Sequence, residues 1–361
     1  MTEADLLIAF SNYERTVWVI NSVEGHLRRY YSKFLICFDR FPAFPLSKQN
    51  ILTPDFAVSF EKNFYFIGEV KRALGLDLRT IEETHAQLCK YDRPLKFRRS
   101  PSGLHEDEAK SHDLVVFTNI EHARKEARRL RALANEQSKP TRPLIIFSVA
   151  FDTQQAKSRW VLSCITDLSD RFSDSKLPED ARLSVRHQDH EEPIVIYIAE
   201  YAALQATQAF CNDRPPAVYT AVILWARVLP KLIPDDQRKM WALEANLQGT
   251  VEFLTSMDAI VAESHRQRLV VKRAHIFEAL SLLEASKLVI SQDGKLRVRY
   301  RRFRSARGDY EDDEAAEAAM DHTKRGLVRE IARSVKSKRK PKTRTPLSRR
   351  SKSDPNQLPL L

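Results

Sequence analysis

Pro54-Asp55 is followed fourteen residues later by Glu69-Val70-Lys71, within the stretch ILTPDFAVSFEKNFYFIGEVKRAL. Two carboxylates and an ammonium at this spacing suit one kind of chemistry. Asp and Glu oxygens are ligands for hard cations such as Mg²⁺, which takes one or two protein carboxylates and keeps several waters. A cation held this way lowers the pKa of a water and stabilises charge on a phosphodiester. A neighbouring lysine can orient that water or neutralise the phosphate. The competing explanation involves no chemistry: Glu69 and Lys71 would form a structural ion pair on one strand face.

These side chains need elements that bring them together. The apolar run Phe64-Tyr65-Phe66-Ile67-Gly68 reads as a buried strand entering Glu69. On a strand, Glu69 and Lys71 share one face, roughly 7 Å apart. Phe56-Ala57-Val58-Ser59-Phe60 reads as the preceding strand, and Glu61-Lys62-Asn63 as a polar turn. That hairpin would set Asp55 beside Glu69 and Lys71. Next, Thr80–Tyr91 reads as a helix that Pro94 helps to end. Gln87 and Tyr91 are four residues apart and so lie on one face of it.

The ordered set Pro-Asp, Glu-x-Lys, Gln-x-x-x-Tyr resembles the restriction-endonuclease-like, or PD-(D/E)xK, nuclease superfamily, and the Gln/Tyr helix is closest to its RecB-like branch. The resemblance implies that Asp55 and Glu69 bind Mg²⁺, with Mn²⁺ as a substitute, and that the carbonyl of Val70 completes the metal site. It implies that Lys71 assists the attacking water, and that Gln87 and Tyr91 line the site and hold substrate or the catalytic strand. Many members also carry an acidic residue on the first helix. Within Thr16–Phe34, Glu24 is the candidate for that metal ligand, and Glu14 comes second. The resemblance spans roughly residues 10–200, most of it by element order alone.

That order is strand at Phe34–Asp39, the two motif strands, strand at Asp113–Phe117, a strongly basic helical segment at Glu121–Asn135, and strands at Leu144–Val149, Trp160–Ile165 and Pro193–Ile198. Strands alternating with helices argue for an α/β domain with a mixed sheet flanked by helices. The same fold is what the resemblance implies.

Composition sets outer bounds. A chain of 361 residues with 43% hydrophobic content has room for two domains. Its 8 glycines form neither a GxxxxGK[ST] nor a GxGxxG motif. Cys37, Cys89, Cys164 and Cys211 lack CxxC spacing and read as free thiols in a reducing compartment. His187 and His190, in RHQDHEE, read as part of a polar loop. The start, Met1-Thr2-Glu3-Ala4-Asp5, has no basic leader, and no apolar run reaches the length of a membrane span, so a cytoplasmic, non-membrane protein is expected.

The charge is uneven. Segment 324–352 holds thirteen Lys/Arg and one acidic residue, Glu330, a net +12 that leaves −1 of the chain's +11 for everything else. Such a segment reads as an unfolded arm suited to nucleic acid. Three parts follow: a nuclease-like domain at 1–205, a mainly helical region at 206–305, and a disordered tail at 306–361, acidic then basic. In the middle part, Pro215-Pro216 marks a boundary and Ala217–Leu229 is an apolar helix with Trp225 and Leu229 on one face. Leu243–Asp258 and Met257–Ser264 continue the helical pattern. Lys272–Ser286 is a helix with Ile276, Leu280 and Leu283 inward and His275, Glu278 and Glu284 outward. Then come Lys287–Ser291, an Asp293-Gly294 turn and the alternating Lys295–Tyr300. Helix, strand, turn and strand resemble a winged helix, with Arg297, Arg299, Arg301, Arg302 and Arg304 on the wing and its exit; the resemblance implies either phosphate contacts or a protein–protein module. The last residues, Gln357, Leu358, Leu360 and Leu361, resemble the short peptide with which bacterial proteins dock on the replicative sliding clamp.

Two functions are compatible with these features. One is a Mg²⁺-dependent deoxyribonuclease; the other is a catalytically silent nuclease fold that binds DNA or recruits a partner. RNA is disfavoured as a substrate by the absence of an RNP-like aromatic strand. Endo- or exonucleolytic action and oligomeric state stay open: a monomer nicks one strand, whereas a two-fold homodimer could cut both.

Overall fold

The computed structural model describes residues 2–45, 51–71, 78–99, 106–152, 159–170, 194–197, 215–243, 250–267, 269, 271–301 and 322–334. At its centre is a seven-stranded mixed sheet flanked by helices. It comprises β1 (Leu35–Arg40), β4 (Phe56–Phe60), β5 (Tyr65–Lys71), β8 (Asp113–Asn119), β9 (Leu144–Asp152), β10 (Arg159–Cys164) and β11 (Ile194–Tyr197), in that spatial order. The pairs β5/β8 and β8/β9 are parallel, and the others antiparallel. Two small ribbons stand apart: β2 (Phe44–Pro45) with β3 (Ile51–Leu52), and β6 (Leu95–Arg98) with β7 (Glu106–Ala109).

The central strands are buried on both sides, which is why they read as continuous apolar runs. Alternation still sorts their residues. Phe56, Val58, Phe66, Val115, Phe117, Ile145 and Phe147 face the cluster capped by α1 (Glu3–Tyr30). Ala57, Tyr65, Ile67, Leu114, Val116, Leu144 and Ile146 face α2 (Leu78–Tyr91) and α3 (Ala123–Gln137).

Helix α1 starts much earlier than the expected Thr16. Thr2 caps it reciprocally with Asp5, and Leu6, Phe10, Tyr13 and Val17 supply a buried face at helical spacing. Its first half packs on α4 (Ala217–Ile223) through Tyr219, whose ring lies 5.0 Å from Phe10 and 4.5 Å from Tyr13. The apolar cluster on this face of the sheet therefore continues into the C-terminal part of the chain.

That part holds α4, which runs on through Leu224–Val228 and Leu229–Leu232, then α5 (Asp235–Leu243), α6 (Met257–Arg266) and α7 (Arg273–Ala285). It also holds a three-stranded antiparallel sheet of β12 (Thr250–Thr255), β13 (Val289–Gln292) and β14 (Lys295–Arg301), with β14 in the middle. Trp225 donates from Nε1 to the carbonyl of Arg301 and stacks on Tyr300.

Three expectations are corrected here. The helical pattern over Leu243–Asp258 is interrupted by β12, because its β-branched, alternating residues pair with β14, which also pairs with β13. His275, in the first turn of α7, is buried with Ile276 and Ala279, not outward. Residues 322–334, expected inside a disordered tail, form helix α8. Leu327, Val328, Ile331 and Ala332 give it one buried apolar face, and Lys324 pairs with Glu14 of α1 at 3.1 Å. Residues 335–361, Gln357–Leu361 among them, lie outside the described residues, as do Cys211, His187, His190, Arg302 and Arg304. No helix among the described residues is long and apolar enough to cross a membrane.

Candidate active site

Strand β5 carries Glu69 and Lys71 toward α2, on the same face as Ile67. Gly68, between Ile67 and Glu69, faces the other way, under the ring of Phe56. A Cβ there would sit 2.0 Å from that ring, so only glycine lets β4 and β5 close at the site. Phe56 is itself held by Phe38, Phe66 and Phe117. Asp55, one residue before β4, accepts a hydrogen bond at Oδ2 from the Val70 N–H at 2.7 Å. The hairpin thus places Asp55 against the Glu-x-Lys segment.

Helix α2 closes the cluster from above. Ile81, Thr84, His85, Leu88 and Tyr91 form its buried face, and Gln87 points to the strand. Gln87 Nε2 donates to Glu69 Oε1 at 2.8 Å and to the Tyr91 hydroxyl at 3.0 Å. Tyr91 donates its hydroxyl to the same Glu69 oxygen at 2.5 Å. The Lys71 ammonium donates to Gln87 Oε1 at 2.7 Å and lies 3.0 Å from Glu69 Oε2. Each member holds at least one other, so the rotamers are mutually fixed.

Burial, and then the negative charge of Glu69, push the Tyr91 phenol far above its ordinary range. Tyr91 is therefore a fixed donor, not a base or nucleophile. The C-terminal end of α2 is pinned by His112, whose Nε2–H donates to the Tyr91 carbonyl at 2.9 Å. Burial, with Arg142 second, lowers His112 to about 4, so it is neutral at physiological pH.

Asp55, Glu69, Val70, Lys71, Gln87 and Tyr91 are thus brought together. Glu24 is not brought to them. It is buried on the inner face of α1, where Arg28 Nε reaches its Oε1 at 2.7 Å. Both Arg40 Nε, at 2.8 Å, and Arg40 Nη2 reach its Oε2. Arg40 pairs in register with Phe56, and both face α1, so the sheet lies between Glu24 and the Glu69 cluster. Glu14 pairs with Lys324 instead.

Sequence reasoning missed the parts played by Gly68 and His112. A lone glycine inside a strand run was a usable signal of close approach; nothing local marks His112.

Asp55 and Glu69 are carboxylates of the kind a hard divalent cation takes, Asp55 being bonded to the N–H of the residue after Glu69. Among the described residues no group of three or more His, Cys, Asp or Glu gathers elsewhere or here. The described cysteines, Cys37, Cys89 and Cys164, form no disulfide, and burial raises the pKa of the first two. No protein-family model, curated protein or solved structure matches this chain.

Proposed function

We propose that this chain is a metal-dependent nuclease that hydrolyses DNA phosphodiester bonds, on a scaffold of the restriction-endonuclease-like kind. One observation carries the reading. Four residues singled out by their types, spacing and the resemblance, Glu69, Lys71, Gln87 and Tyr91, share one side-chain hydrogen-bond network, and the fifth, Asp55, joins it through the Val70 N–H. Local spacing accounts for the Glu69/Lys71 and Gln87/Tyr91 pairs; what it does not dictate is the docking of α2 on β5 that joins the two.

In this reading Asp55, Glu69 and the Val70 carbonyl hold Mg²⁺ or Mn²⁺, which when bound supplies Lewis-acid stabilisation of phosphate charge and activation of water. The protein's own groups do the positioning. Lys71, held between Glu69 and Gln87, presents an ammonium to the scissile phosphate and the attacking water. Gln87 fixes two partners at once, its oxygen on Lys71 and its nitrogen on Glu69. Tyr91 keeps its proton and holds Glu69 Oε1, so the carboxylate cannot rotate away. A winged-helix-like C-terminal region and the basic segment beyond it would add DNA affinity. Gln357, Leu358, Leu360 and Leu361 would dock on a sliding clamp; capture unchanged by their deletion would remove that role.

A second reading is favoured by the saturation of Glu69. Both of its oxygens already have partners, as they would in a silent fold that only binds DNA. The test is cleavage of supercoiled plasmid and of linear single- and double-stranded DNA with Mg²⁺, Mn²⁺ or EDTA. Metal-dependent cutting that disappears in Asp55→Ala and Lys71→Ala is expected. DNA binding without cutting by the wild type would select the silent fold.

A further inference from the structure

The basic helix α3 takes no part in the proposed hydrolysis, and several of its cations are placed unfavourably for the helix itself. Arg124 and Lys125 occupy its first turn, the positive end of the helix dipole, while its last turn has no basic residue. Arg124 and Arg128, and likewise Lys125 and Arg129, are like charges four residues apart, which repel on a helix surface. Glu121 and Glu126 are the acidic groups near this end; Glu126 is buried and Glu121 is exposed. Arg124 and Arg131 are turned toward Asp167 and Asp170 beyond β10. Lys125 and Arg128 are exposed on the outer side. Asp167 and Asp170 offset Arg124 and Arg131; the exposed Lys125 and Arg128 are the cations that a polyanion lying along the helix would meet.

The cationic turn is also tied to the end of the sheet that carries the site. β8 runs parallel to β5, with Thr118 level with Lys71. The Thr118 hydroxyl donates to Glu126 Oε2 at 2.5 Å, which anchors the first turn of α3 at the carboxyl ends of these strands. Ligands of parallel strands dock at that end.

We propose that the outer face of α3, through Lys125 and Arg128, grips the phosphates of the DNA strand that passes through the Glu69 cluster. The inference rests on the proposed nuclease function. It assigns the grip to a surface of the catalytic domain itself, not to the C-terminal region or tail.

The test uses the full chain in EDTA, with fluorescence anisotropy on a labelled duplex over a range of KCl concentrations. In the Lys125→Gln/Arg128→Gln variant, the slope of log affinity against log salt should shrink by about 1.8, close to 0.9 for each phosphate that is no longer neutralised. Affinity should fall equally on unrelated sequences. Arg128→Lys, which keeps the charge, should keep the slope. Thermal melting of the double variant should be unchanged or higher, because repulsion is relieved. A lower melting temperature would show that the cations serve the fold and would overturn the proposal. So would an unchanged slope while the wild type binds and cuts, an outcome that leaves the nuclease reading intact. A wild type that neither binds nor cuts DNA would overturn both.

Discussion

Glu24 and Glu69 are buried to the same degree, each 2% exposed, on opposite faces of one sheet, yet their surroundings differ in sign. Glu24 meets two guanidiniums, Arg28 and Arg40, so the three groups sum to +1. Glu69 meets one ammonium and two neutral donors, with Asp55 bonded to the next residue, and the charges of Asp55, Glu69 and Lys71 sum to −1. A divalent cation approaching Glu24 would face a surplus of positive charge; approaching Glu69 it would meet the opposite. At short range these Coulomb energies amount to several kcal/mol, even at the effective dielectric constant near a protein surface. A buried carboxylate is thus not in itself a mark of a metal centre, and the charge around it is the ground on which the proposed metal site is assigned to Glu69 and not to Glu24.

The largest expected effect breaks the Glu24 side of this comparison. Glu24→Ala leaves Arg40, whose side chain is only 17% exposed, without its carboxylate, and should lower stability by roughly 3–5 kcal/mol in urea unfolding. A variant as stable as the wild type would show that the cluster is not structural.

Acid treatment acts next, and on both faces. His26 on α1 and His112 beside α2 are each lowered from 6.5 to about 4, chiefly by burial. The unfolded imidazole takes a proton below about 6.5 and the folded one only near 4, so stability is complete above that window and falls as pH drops through it. Each histidine contributes roughly 3 kcal/mol of this loss. His112→Gln should flatten the melting-temperature profile between those pH values; an unaltered profile would contradict the assignment.

Mn²⁺ binding followed by electron paramagnetic resonance should then separate the two carboxylates. Affinity should fall at least 100-fold, about 2.8 kcal/mol, in Glu69→Gln and stay unchanged in Glu24→Gln. Equal affinity in both would remove Glu69 from the metal site. The smallest effect is expected for Tyr91→Phe, which removes one hydrogen bond to a charged group, worth about 1.5 kcal/mol, while Gln87 still holds Glu69. Cutting should slow by about tenfold. A loss as complete as that of Lys71→Ala would make Tyr91 more than a clamp.

The two halves of the cluster around Glu69 were legible because each is local, while the docking of α2 on β5 that joins them was expected only from the resemblance. An apolar run marks β5, alternation puts Glu69 and Lys71 on one face, and a four-residue spacing aligns Gln87 with Tyr91. The fate of Glu24 was not legible, since it depends on how α1 docks and on the register that turns Arg40 toward it. Strand β12 was hidden for a similar reason: Thr250–Thr255 is short and follows a helical pattern, and only its pairing with residues 296–301 makes it a strand. Helix α8 did carry a signal. Leu327, Val328, Ile331 and Ala332 fall on one helical face, but the surrounding basic residues dominate the composition.

The most direct measurement is plasmid nicking in Mg²⁺ by Glu69→Gln and Glu24→Gln side by side, each normalised to its folded fraction. The expected result is near-complete loss of cutting for Glu69→Gln and wild-type rates for Glu24→Gln. Cutting retained by Glu69→Gln, or lost only in Glu24→Gln, would contradict the proposed active centre on the α2 face of the sheet.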